Sequence, residues 1–280
     1  MISRINAVAK VNLFLLITGR RKCGKHNICS LAAFCDDITD TLKITERKDC
    51  NIVKYDNLVI LKEQHNILRR TLDLASLHIK RFFHLSVKKN IPVAAGLGGG
   101  SADVAAVLKY FQSEHNLDTE IAKDIAKSIG SDIVACLDGQ SCLMLEDGSD
   151  LRFTKKKIKL PAVFLNPKKE LLTKRVYDLR RQSDKKFSDG ISLEMIEKMS
   201  TQEMLDIPND LYHHALQIMP ELSTMIVMLK KQKGCIKAKM SGSGATCFGV
   251  FESKYTANIA AENIKKNNPD LFVKFSWISG

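Results

Sequence analysis

Asn90-Ile91-Pro92-Val93-Ala94-Ala95-Gly96-Leu97-Gly98-Gly99-Gly100-Ser101 places four glycines in the five positions from 96 to 100. Glycine reaches positive φ without steric penalty and lets backbone N–H groups approach a ligand closely. Upstream, His84-Leu85-Ser86-Val87-Lys88-Lys89 reads as a strand. Downstream, Val104, Val107, Leu108 and Phe111 recur at the spacing of an amphipathic helix. A helix that opens directly after such a loop adds unpaired N–H donors and the positive end of its dipole. Strand, loop and helix together predict a phosphate cradle; a tight turn without a ligand is the plainer alternative. The dinucleotide pattern G-x-G-x-x-G fails, because counting from Gly96 the third glycine falls on Ser101.

Two other glycine-bearing segments bear on this reading. Gly19-Arg20-Arg21-Lys22-Cys23-Gly24-Lys25-His26 comes within one residue of the P-loop pattern, but His26 stands where the Mg²⁺-holding hydroxyl belongs. Met240-Ser241-Gly242-Ser243-Gly244-Ala245-Thr246 joins two apparent strands, Lys237–Met240 and Ala245–Phe251. A hairpin needs only one or two glycines. Its small residues therefore serve either the turn itself or a close approach to a phosphate or a neighbouring loop.

Working outward, residues 5 to 17 alternate as a strand. Ile5, Ala7, Ala9, Val11 and Leu13 share one face, and Val8, Lys10, Asn12 and Phe14 share the other. On its own this predicts an edge strand with one wet face. Leu42-Lys43-Ile44 reads as a short strand, Asn66 to Leu77 as a helix, and Glu120 to Ile129 as a helix stopped by Gly130. The basic stretch Arg152 to Pro161 precedes a fresh apolar strand, Ala162 to Leu165, and marks a domain boundary. A helix from Tyr255 to Lys266 and a strand near 271–277 close the chain.

The length of 280 residues predicts two domains or one large α/β unit. Composition, 45% hydrophobic and 26% charged, excludes long-range disorder, and 15 glycines with 6 prolines exclude a collagen-like chain. The apolar run Leu13–Ile17 is far too short for a membrane helix, and Lys10 and Asn12 interrupt any secretory core. Scattered cysteines without such a signal predict reduced thiols in the cytoplasm. The net charge of +12 raises the prospect of nucleic acid. However, lysine pairs spread from end to end, and few aromatics lie among them, so a solvated surface is the better reading. Such a basic field favours phosphorylated small molecules.

The motif order resembles the GHMP kinase superfamily. Ala9-Lys10-Val11-Asn12-Leu13-Phe14-Leu15 with Thr18-Gly19-Arg20-Arg21, then Gly24 and His26, then Asp40-Thr41-Leu42, are similar to its opening strands and loops. The segment from Pro92 to Ala102 resembles its ATP loop, and Gly130-Ser131-Asp132-Ile133 its catalytic segment. Asn209-Asp210-Leu211, Pro220-Glu221-Leu222 and Met240–Gly244 complete the set, over roughly residues 5 to 250. The resemblance implies a two-domain α+β fold. An N-terminal ribosomal-protein-like α/β domain would span residues 1–158, and a C-terminal ferredoxin-like domain residues 159–280.

It also implies a small-molecule kinase using ATP and Mg²⁺, with a cytidine diphosphate-linked methylerythritol as acceptor. Lys10 and Asp132 match the catalytic pair: Asp132 to take the hydroxyl proton, Lys10 to orient it and offset developing charge. Pro92, Val93, Ala94, Ala95, Gly96, Leu97, Gly98, Gly99, Gly100, Ser101 and Ala102, with Asn66, would bind ATP, and the Ser101 hydroxyl would touch Mg²⁺. Asn12, Lys25, His26, Tyr177, Gly242, Ser243 and Gly244 would bind the acceptor. A monomer or weak homodimer, without membrane or nucleic acid, is expected. Homoserine- or mevalonate-type kinases, and a silent nucleic-acid-binding relative, are the competing readings.

Three positions depart from the pattern. Lys25 stands where an aromatic partner for cytosine is expected, leaving Tyr177 as the other; Ala32 also occupies an aromatic position. Val134 stands where proline is usual near Asp132. Cys23, Cys29 and Cys35 recur every six residues, which is not a zinc spacing.

Overall fold

The computed structural model describes residues 2–56 and 66–280. Its first two strands are long and pair with each other: β1 spans Ile2–Arg20 and β2 spans His26–Arg47. Both pass through the two compact units into which the chain divides. The first unit takes residues up to Ala9, Ile38–Ile91 and Gly98–Gly139; the second takes Lys10–Asp37, Pro92–Leu97 and Gln140–Gly280.

In the first unit β3 (Ile52–Tyr55) and β4 (Phe82–Lys88) run parallel, with α1 (Ile67–Ile79) between them in sequence. Parallel neighbours need such a crossover. β4 also pairs antiparallel with the end of β2, from Thr41 opposite Lys88 to Arg47 opposite Phe82. α2 (Gly99–His115), α3 (Thr119–Ile129) and α4 (Ser131–Asp138) complete the unit. Leu68, Leu72 and Ala75 of α1 are buried, as are Val104, Val107, Leu108 and Phe111 of α2. The Phe83 and Phe111 rings meet at 4.7 Å.

In the second unit β5 (Cys142–Glu146) pairs antiparallel with β2, from Ile28 opposite Glu146 to Ala32 opposite Cys142, and β6 (Asp150–Phe153) pairs with β5. There follow β7 (Lys159–Asn166), α5 (Thr173–Gln182), α6 (Leu193–Lys198), α7 (Thr201–Asp206), α8 (Tyr212–Ile218) and α9 (Glu221–Lys230). The chain ends with β8 (Cys235–Met240), β9 (Cys247–Phe251), α10 (Lys254–Asn267) and β10 (Phe272–Ser279). The strand order β10-β7-β9-β8, with helices after the first and third strands, is the βαββαβ arrangement of a ferredoxin-like domain. Leu222, Met225 and Leu229 of α9 and Ala257, Ala260 and Ile264 of α10 belong to one core with Val163, Leu165 and Cys247 of the strands. The α+β fold with a ferredoxin-like C-terminal part is as expected.

Some local expectations need correction. The face of β1 carrying Lys10 and Asn12 is not wet: both residues are 4% exposed, and Leu13 and Phe14 beside them are fully buried. From Ala9 to Ile17 the strand is buried on both sides, so Lys10 and Asn12 do not mark a solvent face, whereas Ile2 and Val8 earlier in the strand are exposed. Leu42–Ile44 is not a separate short strand but part of the 22-residue β2. β5, β6 and α4 were not anticipated. Gly19–His26 forms the β1–β2 connection, with the Arg21 N–H donating to the Lys25 carbonyl at 2.8 Å. No helix follows it, so it is not a P-loop.

Candidate active site

A strand that buries lysine and asparagine must give each polar atom a partner. In the second unit the Lys10 Nζ donates to Asn12 Oδ1 at 3.0 Å. Asn12 Nδ2 donates to Ser30 Oγ at 2.7 Å, and that hydroxyl donates to the Phe14 carbonyl at 2.6 Å. The Asn12 N–H donates to Ser241 Oγ at 3.1 Å, and Ser241 Oγ donates to the Gly96 carbonyl at 2.8 Å. The Lys10 N–H meets the Leu97 carbonyl at 2.9 Å, and the Thr246 N–H meets that of Ala95 at 3.0 Å. One polar network thus ties Lys10 to residues 95–97 and to the 240–246 turn.

Glycine is required where these segments touch. A Cβ on Gly96 would stand 2.4 Å from the Ser241 carbonyl oxygen, and its φ is +73°. A Cβ on Gly242 would lie 3.0 Å from Asn12 Oδ1. Asn209 Nδ2 pins the same turn, donating to the carbonyls of Met240 at 2.9 Å and Gly242 at 2.8 Å. Gly242, Ser243 and Gly244 are buried, and Ser243 Oγ lies 2.8 Å from Thr173 Oγ1.

His26, at the start of β2, and Tyr177, on α5, also come together, with ring centroids 5.5 Å apart and planes tilted by 40°. Burial lowers the His26 pKa, and the charges of Arg180, Arg20 and Arg181 lower it further. The ring is therefore neutral near pH 7, with one donor and one acceptor nitrogen. Lys25 points into solvent, its Nζ 3.3 Å from Asp147. Burial raises the Cys29 thiol, which sits against the Ile191 backbone.

The first unit holds the other expected residues. Gly98 caps α2, its carbonyl accepting the Ala102 N–H at 2.8 Å; Gly99, Gly100 and Ser101 form the first turn. Ser101 is half-buried. Asp132 is half-buried in the first turn of α4, directly after Gly130. Asn66 caps α1: its Oδ1 accepts from the N–H groups of Leu68 and Arg69 at 3.0 and 3.3 Å and lies 3.4 Å from the Tyr55 hydroxyl.

Beneath α2 lies an ionic triad that sequence reasoning missed. Lys89 Nζ donates to Asp103 Oδ2 at 2.7 Å and to Asp40 Oδ2. Burial raises the Asp103 carboxyl above the usual carboxylate range, against the pull of Lys89. Burial alone would lower Lys89, but Asp103 and Asp40 outweigh it and raise it. Ser30, Ser241 and Asn209 were likewise absent from the expected site. Their signal was a hydroxyl or amide inside an otherwise apolar or glycine-rich run.

Among the described residues, no group of three or more His, Cys, Asp or Glu side chains could hold a metal ion. No helix among them is long and apolar enough to cross a membrane.

Comparison with known proteins adds the following. Residues 61–140 match the GHMP kinases N terminal domain, and residues 192–270 match the GHMP kinases C terminal family. A 4-diphosphocytidyl-2-C-methyl-D-erythritol kinase of Wolbachia pipientis wMel is 34% identical over 96% of both chains, and one of Ehrlichia canis is 32% identical over 96% of both. A crystal structure of a 4-(cytidine 5'-diphospho)-2C-methyl-D-erythritol kinase superposes with a TM-score of 0.81 at 26% identity, covering 99% of this chain and 100% of the other.

Proposed function

This chain belongs to the 4-diphosphocytidyl-2-C-methyl-D-erythritol kinases, a family of GHMP kinases, and we propose that it transfers the γ-phosphoryl group of ATP to the 2-hydroxyl of 4-diphosphocytidyl-2-C-methyl-D-erythritol. The products are ADP and the 2-phosphate, in the non-mevalonate route to isopentenyl diphosphate. The observation that carries this reading is similarity along the full chain to relatives of that name, 34% over 96% in one case. In the proposed division of labour Asp132 accepts the hydroxyl proton, and Lys10 orients the acceptor and offsets charge on the transferred group. The buried network from Lys10 through Asn12 supports this, because a lysine held in one position costs no reorganisation during transfer.

Residues 92–102 would wrap the ATP phosphates through backbone N–H groups, with Asn66 as a further ATP contact. Mg²⁺ would be held mainly by phosphate oxygens and water, with the Ser101 hydroxyl as the one assigned protein donor. Bound there, it would neutralise the polyphosphate. Asn12, Lys25, His26, Tyr177 and the turn at Gly242, Ser243 and Gly244 are assigned to the acceptor. Kinase domains at 1–158 and 159–280 are consistent with family matches falling on either side of that boundary. The same reading expects a monomer or weak homodimer in the cytoplasm without nucleic acid, supported by lysines dispersed along the chain.

ADP release by purified protein with Mg²⁺-ATP and the cytidyl alcohol tests the reaction. Turnover is expected, with kcat falling about 10²–10⁴-fold in Asp132→Ala. Equal turnover in both would remove Asp132 from its role. No turnover in the folded wild type would overturn the acceptor assignment.

A further inference from the structure

The Lys89 side chain is 9% exposed, and its two carboxylate partners, Asp40 and Asp103, are 0% and 2% exposed. An ion cluster this deep is a poor way to gain stability, since an apolar cluster of equal volume is commonly as stable or more so. What the cluster does offer is fixed geometry across three elements. Asp40, on β2, uses its second oxygen to accept the N–H groups of Asn90 and Ile91 at 2.5 and 2.8 Å. Asn90 Nδ2 returns to the Thr39 carbonyl at 3.0 Å. The residues leading out of β4 toward the glycine-rich loop are therefore bound to β2. Asp103 lies on α2, one turn past Gly99.

Lys89 and Ile91 also lie against the helix start itself. A Cβ on Gly99 would meet Ile91 Cγ2 at 3.0 Å and Lys89 Nζ at 3.4 Å. Among the described residues Asp103 Oδ1 is buried with no hydrogen-bond partner, while its other oxygen accepts from Lys89 Nζ at 2.7 Å. Two carboxylates without that ammonium would put uncompensated negative charge under a helix N-terminus, where phosphate is otherwise attracted.

We propose that Lys89 is a positioning residue for phosphoryl transfer: by bridging Asp40 and Asp103 it fixes the first turn of α2, with the N–H groups of Gly99, Gly100 and Ser101, to the strand end that precedes the loop. The inference rests on the assignment of that turn to ATP. Lys89 acts through the helix and the backbone, and touches neither acceptor nor transferred group.

The test measures Mg²⁺-ATP affinity by calorimetry without acceptor, KM and kcat with it, and thermal stability, in Lys89→Met and in Lys89→Met/Asp103→Leu. The double variant removes the tether and one of its two carboxylates, while Asp40 keeps the N–H groups of Asn90 and Ile91, and it is expected to regain part of the thermal stability that Lys89→Met loses. Its Mg²⁺-ATP affinity is nevertheless expected to stay at least tenfold weaker than wild type, with KM for the cytidyl alcohol unchanged. Double-variant affinity equal to wild type would overturn the proposal, since stability alone would then explain the triad. If Lys89→Met does not fold, Lys89→Arg is expected to restore folding and most of the affinity, and Asp103→Asn to weaken ATP without unfolding; wild-type affinity in Asp103→Asn overturns the proposal too. A wild-type protein that binds Mg²⁺-ATP but leaves the cytidyl alcohol untouched sinks the acceptor assignment alone. One that binds no Mg²⁺-ATP sinks both.

Discussion

At Gly96 an added Cβ would stand 2.4 Å from the Ser241 carbonyl oxygen and 2.9 Å from that of Gly244, whereas at Gly100 it would meet the tip of the Ile67 side chain at 3.1 Å. The two glycines are four positions apart, yet the fold asks for them differently. Around Gly96 the neighbours are backbone, already fixed by the Ser241 hydroxyl bond to Gly96 and by the Asn209 amide on the 240–242 turn. Around Gly100 the neighbour is the end of a flexible side chain on α1, and the residue lies in the first turn of a helix that tolerates alanine. A glycine the fold does not need is one whose reason must be sought in what approaches from outside.

The largest effect separating the two cases is expected for Gly96→Ala. The left-handed conformation alone costs about 1–2 kcal/mol for a residue with a Cβ. The clash with fixed carbonyls adds to it, so a loss of about 3 kcal/mol or more is expected in urea unfolding. A midpoint indistinguishable from wild type would show that the 240–246 turn yields, and would break the contrast. Gly100→Ala is expected to behave oppositely. Alanine gains up to about 1 kcal/mol over glycine in a helix, so thermal stability should hold or rise slightly. If phosphate lies against the α2 N–H groups, the new methyl on this exposed position should raise KM for ATP about tenfold. Unchanged KM with unchanged stability would remove Gly100 from the phosphate site and leave the cradle to its neighbours.

The same contrast explains what was legible in the sequence. Glycine clusters, helix stops and the 3.6-residue periodicity of Val104, Val107, Leu108 and Phe111 are local signals, and α2, α3, β4 and the closing β8–β9–α10–β10 order follow from them. The length of β2 does not. Cys29-Ser30-Leu31-Ala32-Ala33-Phe34-Cys35 is buried throughout, so it shows no alternation, and Asp36 and Asp37 behind it resemble a turn. Lys10 and Asn12 were legible as functional candidates only through the family resemblance, because a lysine on a strand ordinarily reads as surface. The partners that satisfy Asn12 are Ser30, 18 residues away, and Ser241, 229 residues away. The Lys89 triad was hidden for the same reason: its three members lie at positions 40, 89 and 103, and only folding brings them within one hydrogen bond of each other.

The smallest expected effect concerns a residue the fold leaves open. Lys25 sits on the β1–β2 connection with its side chain 69% exposed, and its contact with Asp147 at 3.3 Å is a surface ion pair of the kind that contributes at most about 1 kcal/mol. Its neighbour His26 is the opposite: buried, neutral through burial and nearby arginines, and set against Tyr177. If Tyr177 supplies one face for cytosine, the chain has one aromatic wall and an exposed lysine where a second would be. A base–aromatic stack is worth about 1–3 kcal/mol, and an exposed loop captures the lower end, because the new ring must itself be ordered. Lys25→Tyr should therefore lower KM for the cytidyl alcohol about fivefold, with kcat and KM for ATP unchanged and stability within about 1 kcal/mol of wild type. A KM that does not fall would mean that position 25 does not face the base, and that Lys25 serves the acceptor through its charge instead.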